Sequence, residues 1–281
     1  MDIGDKVAIV CCSDGMPQDS RDIINKLNGT LLNIGLNPVF SDYIYRKNSV
    51  FSGSARQRAS ALMNFYRDKE IKAVFDISGG DIANEILPYL DYNVIRESSK
   101  LFFGYSDNTS VINAIYTKTG KASALYQIRN LIYGHGDKQV LDFKNTLIDG
   151  KDDLFRFNYE FVQKESMQGI VVGGNIRCLL KLAGTEYFPD MEGKVLLLEA
   201  NHGTVPHMVT YLNQLKQIGV FNKINGILLG TFSQMEKLCS VPSVVDLLKL
   251  YVGKDIPVAC TGQIGHGTDS KAILIGKEIC I

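Results

Sequence analysis

The run Lys100–Gly120, "KLFFGYSDNTSVINAIYTKTG", decides the fold. "KLFFGY" is a short apolar, aromatic stretch of strand character. "NTSVINAIYTKTG" has helical spacing that stops at Gly120. A strand that turns into a helix within a few residues is the repeating unit of an α/β sheet, and the same alternation extends on both sides. Upstream, "KVAIVCC" (Lys6–Cys12) reads as a buried strand. "DSRDIINKLNGTLLNIG" places Ile23, Ile24, Leu27, Leu31 and Ile34 on one helical face, with Gly35 suited to its C-terminal cap. "NPVFSDYI" is a second strand. "SARQRASALMNFYRDKE" is a helix with Ser54 as N-cap. "IKAVFDISGG" is a third strand, closed by two glycines, and "DIANEILPYL" is a short helix. This order predicts a parallel sheet covered by helices on both faces. Sites in such sheets lie beyond the carboxyl ends of the strands, where "CCSDG", "SGGD" and "YSDN" fall.

The segment 137–168 has more charge and weaker periodicity, and reads as a linker between a domain over 1–136 and a second over 169–281. The second half again alternates. "GIVVGGNIRCLLKLAG" gives a strand, a glycine turn and a helix, and "GKVLLLEA" is a strand ending near an acid. "TVPHMVTYLNQLKQIG" is a helix, "INGILLGTF" a strand, "VPSVVDLLKLYVG" a helix and "IPVACTG" a strand, with "KAILIGKEICI" as a terminal strand. The expected class is α/β: an N-terminal parallel-sheet domain and a smaller C-terminal α/β domain.

Hydrophobic residues make up 45% and charged residues 21%, the balance of a globular protein. Lys+Arg and Asp+Glu both number 30, so no global charge argues for nucleic acid or an anionic membrane. The one acid-free basic stretch, Arg46–Arg58, reads as a solvated loop and helix start. "MDIGDKVAIVCCSDG" carries acids where a signal peptide carries basic residues, and no apolar run approaches the ~20 residues of a membrane span. A cytoplasmic location is the expectation. The six cysteines form no CxxC pair, which argues against zinc and against a disulfide framework. Most of them are expected to behave as small buried hydrophobes.

The chemistry turns on Ser106. A serine hydrolase needs a hydroxyl on a strained turn, a base within reach, an acid to orient the base and N–H donors for the oxyanion. "GYSDN" offers such a turn, with a helix N-terminus aimed at Ser106, but Asn108 stands where G-x-S-x-G has its second glycine. Ser, Asp and Thr before a helix also serve as caps. Of the four histidines, His135 lies in a glycine-flanked loop, and His202 and His207 flank a helix start. His266 sits in "TGQIGHGTDS", directly after a strand. Glu199 follows three consecutive leucines, and an acid at the end of a buried strand needs a partner. It could equally cap the next segment. "VCCSDG" and "SGGD" could also be phosphate loops of a nucleotide-dependent transferase, although no P-loop or spaced G-x-G-x-x-G is present.

"DISGGDIANEILPYLDYNVIRESSKLFFGYSDNTSVINAIYTKTG" resembles the diagnostic block of the LD-carboxypeptidases and the related microcin C self-immunity peptidases. "GGNIRCLLKLAGTEYFPDMEGKVLLLEA" resembles their second block and "GQIGHG" their third. The resemblance spans nearly the whole chain and implies serine-type amide hydrolysis without a metal or cofactor. By it Ser106 would be the nucleophile, His266 the general base and Glu199 its orienting acid. The N–H groups of Gly80 and Asp107 would form the oxyanion hole, with Gly79, Asp81 and Asn175 on the substrate side. It also implies a site between two domains, a small peptide or peptidyl-nucleotide substrate and a homodimer. Three places depart from the family pattern: Asp81 and Ile82 after the double glycine, "LYQIRN" (Leu125–Asn130), and "AILIG" near the end. An inactive, peptide-binding relative would show such departures too. The acid at Asp81 is expected to disfavour a substrate carboxylate nearby.

Overall fold

The computed structural model describes residues 1–281. Two six-stranded sheets carry the fold. The first contains β1 (Lys6–Val10), β2 (Asn37–Phe40), β3 (Ile71–Asp76), β4 (Leu101–Gly104) and β5 (Ser123–Leu125), all parallel. The second contains β6 (Glu160–Gln163), β7 (Gln168–Asn175), β8 (Lys194–Ala200), β9 (Gly226–Phe232) and β10 (Val258–Cys260). Two short strands follow, β11 (Ile273–Ile275) and β12 (Glu278–Cys280). The orders are β11-β5-β4-β3-β1-β2 and β12-β7-β8-β9-β10-β6. The α/β class read from the alternation is the observed one, with antiparallel strands added at sheet edges.

The central strands are apolar on both faces because both faces are covered. Val7 to Val10 of β1, Ala73 to Asp76 of β3 and Val195 to Ala200 of β8 are all buried. One cluster of 22 buried residues covers the outer face of the first sheet and another of 22 covers that of the second. The largest, of 30, draws Val74 and Ile112 together with Val171, Leu197 and Leu228 and so joins the two sheets. The helix Thr109–Thr119 lies at this junction, and its residues Thr109 to Ile115 are buried without interruption. Asn113 fixes the junction: its Nδ2 donates to the Gly173 carbonyl and its Oδ1 accepts from the Gly173 N–H, both at 2.9 Å.

Three local expectations differ from the structure. The segment 137–168 holds most of the helix Gly136–Leu147, whose Phe143 is buried in the first sheet's cluster, and β6 at an edge of the second sheet. Its amphipathic stripe is short and interrupted by charge, and this masked it. "KAILIGKEICI" is two strands, split at Gly276: β11 pairs with β5 in the first sheet, and β12 pairs with β7 in the second. Third, Arg58 is not solvated: its side chain is buried and donates to the carbonyls of Cys12 and Ser13, and it pairs with Glu85 at 2.5 Å. Of the cysteines, Cys11, Cys12 and Cys178 are buried, Cys260 is partly buried, and Cys239 and Cys280 are exposed.

Candidate active site

Strand β4 ends at Gly104, and Tyr105 continues extended. Ser106 then takes φ +54°, a left-handed conformation that is uncommon for a residue with a side chain. Such a position costs on the order of 1–3 kcal/mol and persists only where the surroundings enforce it. Here they do. A single 3₁₀ turn, Ser106–Asn108, follows, and the Asn108 N–H closes it on the Tyr105 carbonyl at 2.9 Å.

None of the "SDNTS" side chains caps the helix Thr109–Thr119. They hold the turn instead. Asp107 is buried and accepts from Ser13 Oγ at 2.6 Å, from the Ala83 N–H at 2.8 Å and from Lys181 Nζ at 2.5 Å. The Asn108 Nδ2 donates to Asp76 Oδ1 at 2.8 Å. Asp76, buried at the end of β3, also accepts from the Cys12 N–H and from both the N–H and the hydroxyl of Ser78. Burial pushes the Asp76 carboxyl up, and those hydrogen bonds pull it partly back. The loops after β1, β3 and β4 are thus tied into one buried polar network beneath Ser106.

Glu199 leaves β8 buried, and His266 reaches it from the loop after β10. His266 Nδ1 lies 2.5 Å from Glu199 Oε2, and His266 Nε2 lies 3.2 Å from Ser106 Oγ. That geometry assigns the proton on Nδ1 to the glutamate and leaves Nε2 to accept from the serine. Glu199 Oε1 has no partner, so the imidazole is the carboxylate's one hydrogen-bond donor. The loop is held close to β9. The His266 N–H meets Thr231 Oγ1 at 3.3 Å, and a side chain on Gly265 (φ +144°) would collide with Thr231. The Tyr105 ring stacks obliquely on the imidazole at 4.4 Å and its hydroxyl donates to the Gly265 carbonyl at 3.0 Å.

The serine and the imidazole open on a cleft of about 570 Å³. One wall carries Gly79, Gly80, Asp81, Tyr105 and Arg129, and the other Asn175, Arg177, Asn201, His202, His207, Tyr211 and Gln234. The Gly80 N–H donates to no protein acceptor, while its carbonyl accepts from Arg177 Nη2 at 3.2 Å. Asn175 caps the helix Ile176–Leu180 through Cys178, and its own N–H donates to Thr109 Oγ1 at 3.0 Å. His135 is elsewhere, bonded to Thr268.

Asp81 does not act as a free negative charge. It pairs with Arg177 and, at 3.2 Å, with Lys181. Burial alone would raise its carboxyl, but the hydrogen bonds from Arg177 and then Lys181 outweigh this and hold it below the ordinary value. The expected repulsion of a substrate carboxylate is therefore cancelled. Lys181 spans Asp81 and Asp107, so these two cations and two acids balance. Arg177 and Lys181 stand at i and i+4 just after "GGN", spacing that puts both on one helical face. That spacing is visible in the sequence, but nothing in the sequence marks which acids it meets.

The family model described as the LD-carboxypeptidase N-terminal domain matches residues 7–127, and that of the C-terminal domain matches 168–281. The chain is 28% identical to a protein of Bacillus subtilis named "Probable murein peptide carboxypeptidase", over 98% of this chain and 88% of that one. It is 25% identical to the microcin C7 self-immunity protein MccF of Escherichia coli, over 82% of this chain and 76% of that one. Among solved structures, MccF in complex with glutamyl sulfamoyl guanosine superposes with a TM-score of 0.89 at 21% identity, covering 100% of this chain and 94% of that one. At that identity the likeness speaks for the two-domain fold. No helix is long and apolar enough to cross a membrane.

Proposed function

The chain belongs to the LD-carboxypeptidase family of serine peptidases, and from that premise we propose that Ser106, His266 and Glu199 form its catalytic triad and that it releases the terminal residue of a murein-derived LD-peptide. The observation that carries the reading is the hydrogen-bonded line from Ser106 Oγ through the imidazole to the buried Glu199 carboxylate.

In the proposed reaction His266 Nε2 takes the Ser106 proton as Oγ bonds to the scissile carbonyl carbon. The oxyanion forms between the N–H groups of Gly80 and Asp107. Glu199 stabilises the imidazolium. The C–N bond then breaks, and His266 gives its proton to the departing amine. A water molecule, deprotonated by the same imidazole, attacks the acyl-serine, and the proton returns to Oγ. The leaving residue in this reading has a D-centre and the acyl residue an L-centre.

A second reading is cleavage of an aminoacyl-nucleotide. It draws support from the far wall, where Tyr211, His202, His207 and Asn201 offer rings and an amide suited to a nucleobase and ribose. Turnover of a murein tetrapeptide beside a glutamyl sulfamoyl nucleoside separates the two. Release of a terminal D-amino acid at the higher kcat/KM is the expected result. Exclusive turnover of the nucleoside would replace the first reading with the second.

A further inference from the structure

Two of the three cations in the cleft wall or beside it are already paired: Arg177 with Asp81, and Lys181 with Asp81 and Asp107. Arg129 is the exception. No carboxylate lies within ion-pair reach of it. Its Nη1 meets only the thioether of Met16, at 4.0 Å, and its Nε is buried with no hydrogen-bond partner. The Tyr133 ring lies 6.0 Å from its guanidinium carbon. The guanidinium lines the cleft with no carboxylate of the chain against it, and its terminal N–H groups are the ones placed to meet an acceptor brought by a substrate. The sole acid lining the cleft, Asp81, is neutralised by its partners, so the unbalanced charge there is the positive one on Arg129.

The sheet fixes where this charge stands. Gly104 pairs with Leu125, and the Tyr126 N–H donates to the Gly104 carbonyl at 2.8 Å, so the loop after β5 runs beside the nucleophile turn. Gly80 follows β3, on the other side of β4. Arg129 and Gly80 therefore flank Ser106 from opposite sides. The next residue, Asn130, reaches the Gly267 carbonyl at 3.5 Å, which puts this loop against the one that carries His266. With the oxyanion at Gly80, the departing amine belongs on the histidine side.

We propose that Arg129 binds the free carboxylate of the leaving residue and so makes the enzyme an exopeptidase. A terminal residue carries its carboxylate directly on the α-carbon that is bonded to the scissile nitrogen, within the span of one residue. A planar guanidinium is matched to that group through two parallel N–H···O bonds. This inference rests on the peptidase reading and assigns the recognition of the terminal carboxylate in it to Arg129.

The test compares a murein tetrapeptide with its terminal carboxamide, in the intact protein and in Arg129→Gln and Arg129→Lys. The intact protein should prefer the free acid by about 100-fold in kcat/KM, the scale of losing a charge-assisted pair in a partly desolvated site. In Arg129→Gln the acid-to-amide ratio should collapse to about 1, with Arg129→Lys in between. A general loss of structure would lower both substrates and leave the ratio intact, and that result would overturn the proposal. If the intact protein cleaves neither peptide, the peptidase reading fails by itself. The same ratio is then measured as binding affinity by calorimetry, where an equal affinity for acid and amide refutes the role of Arg129. A loss confined to a glutamyl sulfamoyl nucleoside, with the peptide ratio unchanged, would also refute it.

Discussion

Lys181 Nζ lies 2.5 Å from Asp107 Oδ1 and so ties the residue after Ser106, on the first sheet, to the helix that follows β7 on the second. Asp107 is buried and the Lys181 side chain is 18% exposed, so the pair sits in a largely dry setting. Removing one member of such a pair leaves the other uncompensated. Lys181→Met should therefore destabilise the protein by about 3 kcal/mol in urea unfolding and loosen the Ser106 turn, lowering kcat. A change under about 0.5 kcal/mol, the scale of an exposed pair, would show that the tie is ornamental.

Asn113 makes a comparable joint in the interior. Asn113→Ala would leave both the N–H and the carbonyl of Gly173 buried without partners. The expected loss is about 2–4 kcal/mol, from two unsatisfied groups. Since β7 leads directly to Asn175 at the cleft, the variant should also raise KM. Equal stability of variant and parent would mean that water replaces the amide.

Gly80 has φ +129°, and a Cβ there would collide with the Asp14 carboxylate. Gly80→Ala must shift the backbone that offers its N–H to the oxyanion. The expected effect is a fall in kcat of about 10²-fold, typical of a lost oxyanion donor, with a folded protein by circular dichroism. Unchanged kcat would remove Gly80 from the oxyanion hole.

Asp142, on the helix Gly136–Leu147, pairs with Lys271 and Lys138. Burial would raise its carboxyl, but hydrogen bonds from Lys271 and then Lys138 hold it below the ordinary value of 3.8. A depressed folded-state value means the unfolded chain binds the proton more readily. The stabilisation is thus complete above the unfolded value and is lost as pH falls through the folded one. Asp142→Asn should weaken the protein most at neutral pH, and its gap from the parent in urea midpoint should narrow below about pH 4. A gap that stays constant down to pH 3 would contradict this.

Local signals carried much of the architecture. Apolar runs such as "KVAIV" and "KVLLLEA", closed by glycines and polar turns, mark the parallel strands and their carboxyl ends, and Ser106 and Glu199 both fall at such ends. What stayed hidden depends on long-range partners. The polar side chains of "SDNTS" look like helix caps until Ser13, Asp76 and Lys181 arrive from distant segments to claim them. Asp81 reads as a bare acid until Arg177 is folded against it. Arg58 reads as solvated because its acceptors, the carbonyls of Cys12 and Ser13 and the Glu85 carboxylate, come from distant segments. The terminal strand divides in two because each half completes a different sheet edge, a choice made by the sheets and not by "KAILIGKEICI" itself.

The most direct test of the central claim is the rate constant of Ser106→Ala on whichever substrate the intact protein turns over, with folding checked by thermal unfolding. The account predicts a fall in kcat of about 10⁴- to 10⁶-fold, the range for removal of a triad nucleophile, with an unfolding temperature close to that of the parent. Turnover within tenfold of the intact protein would contradict it.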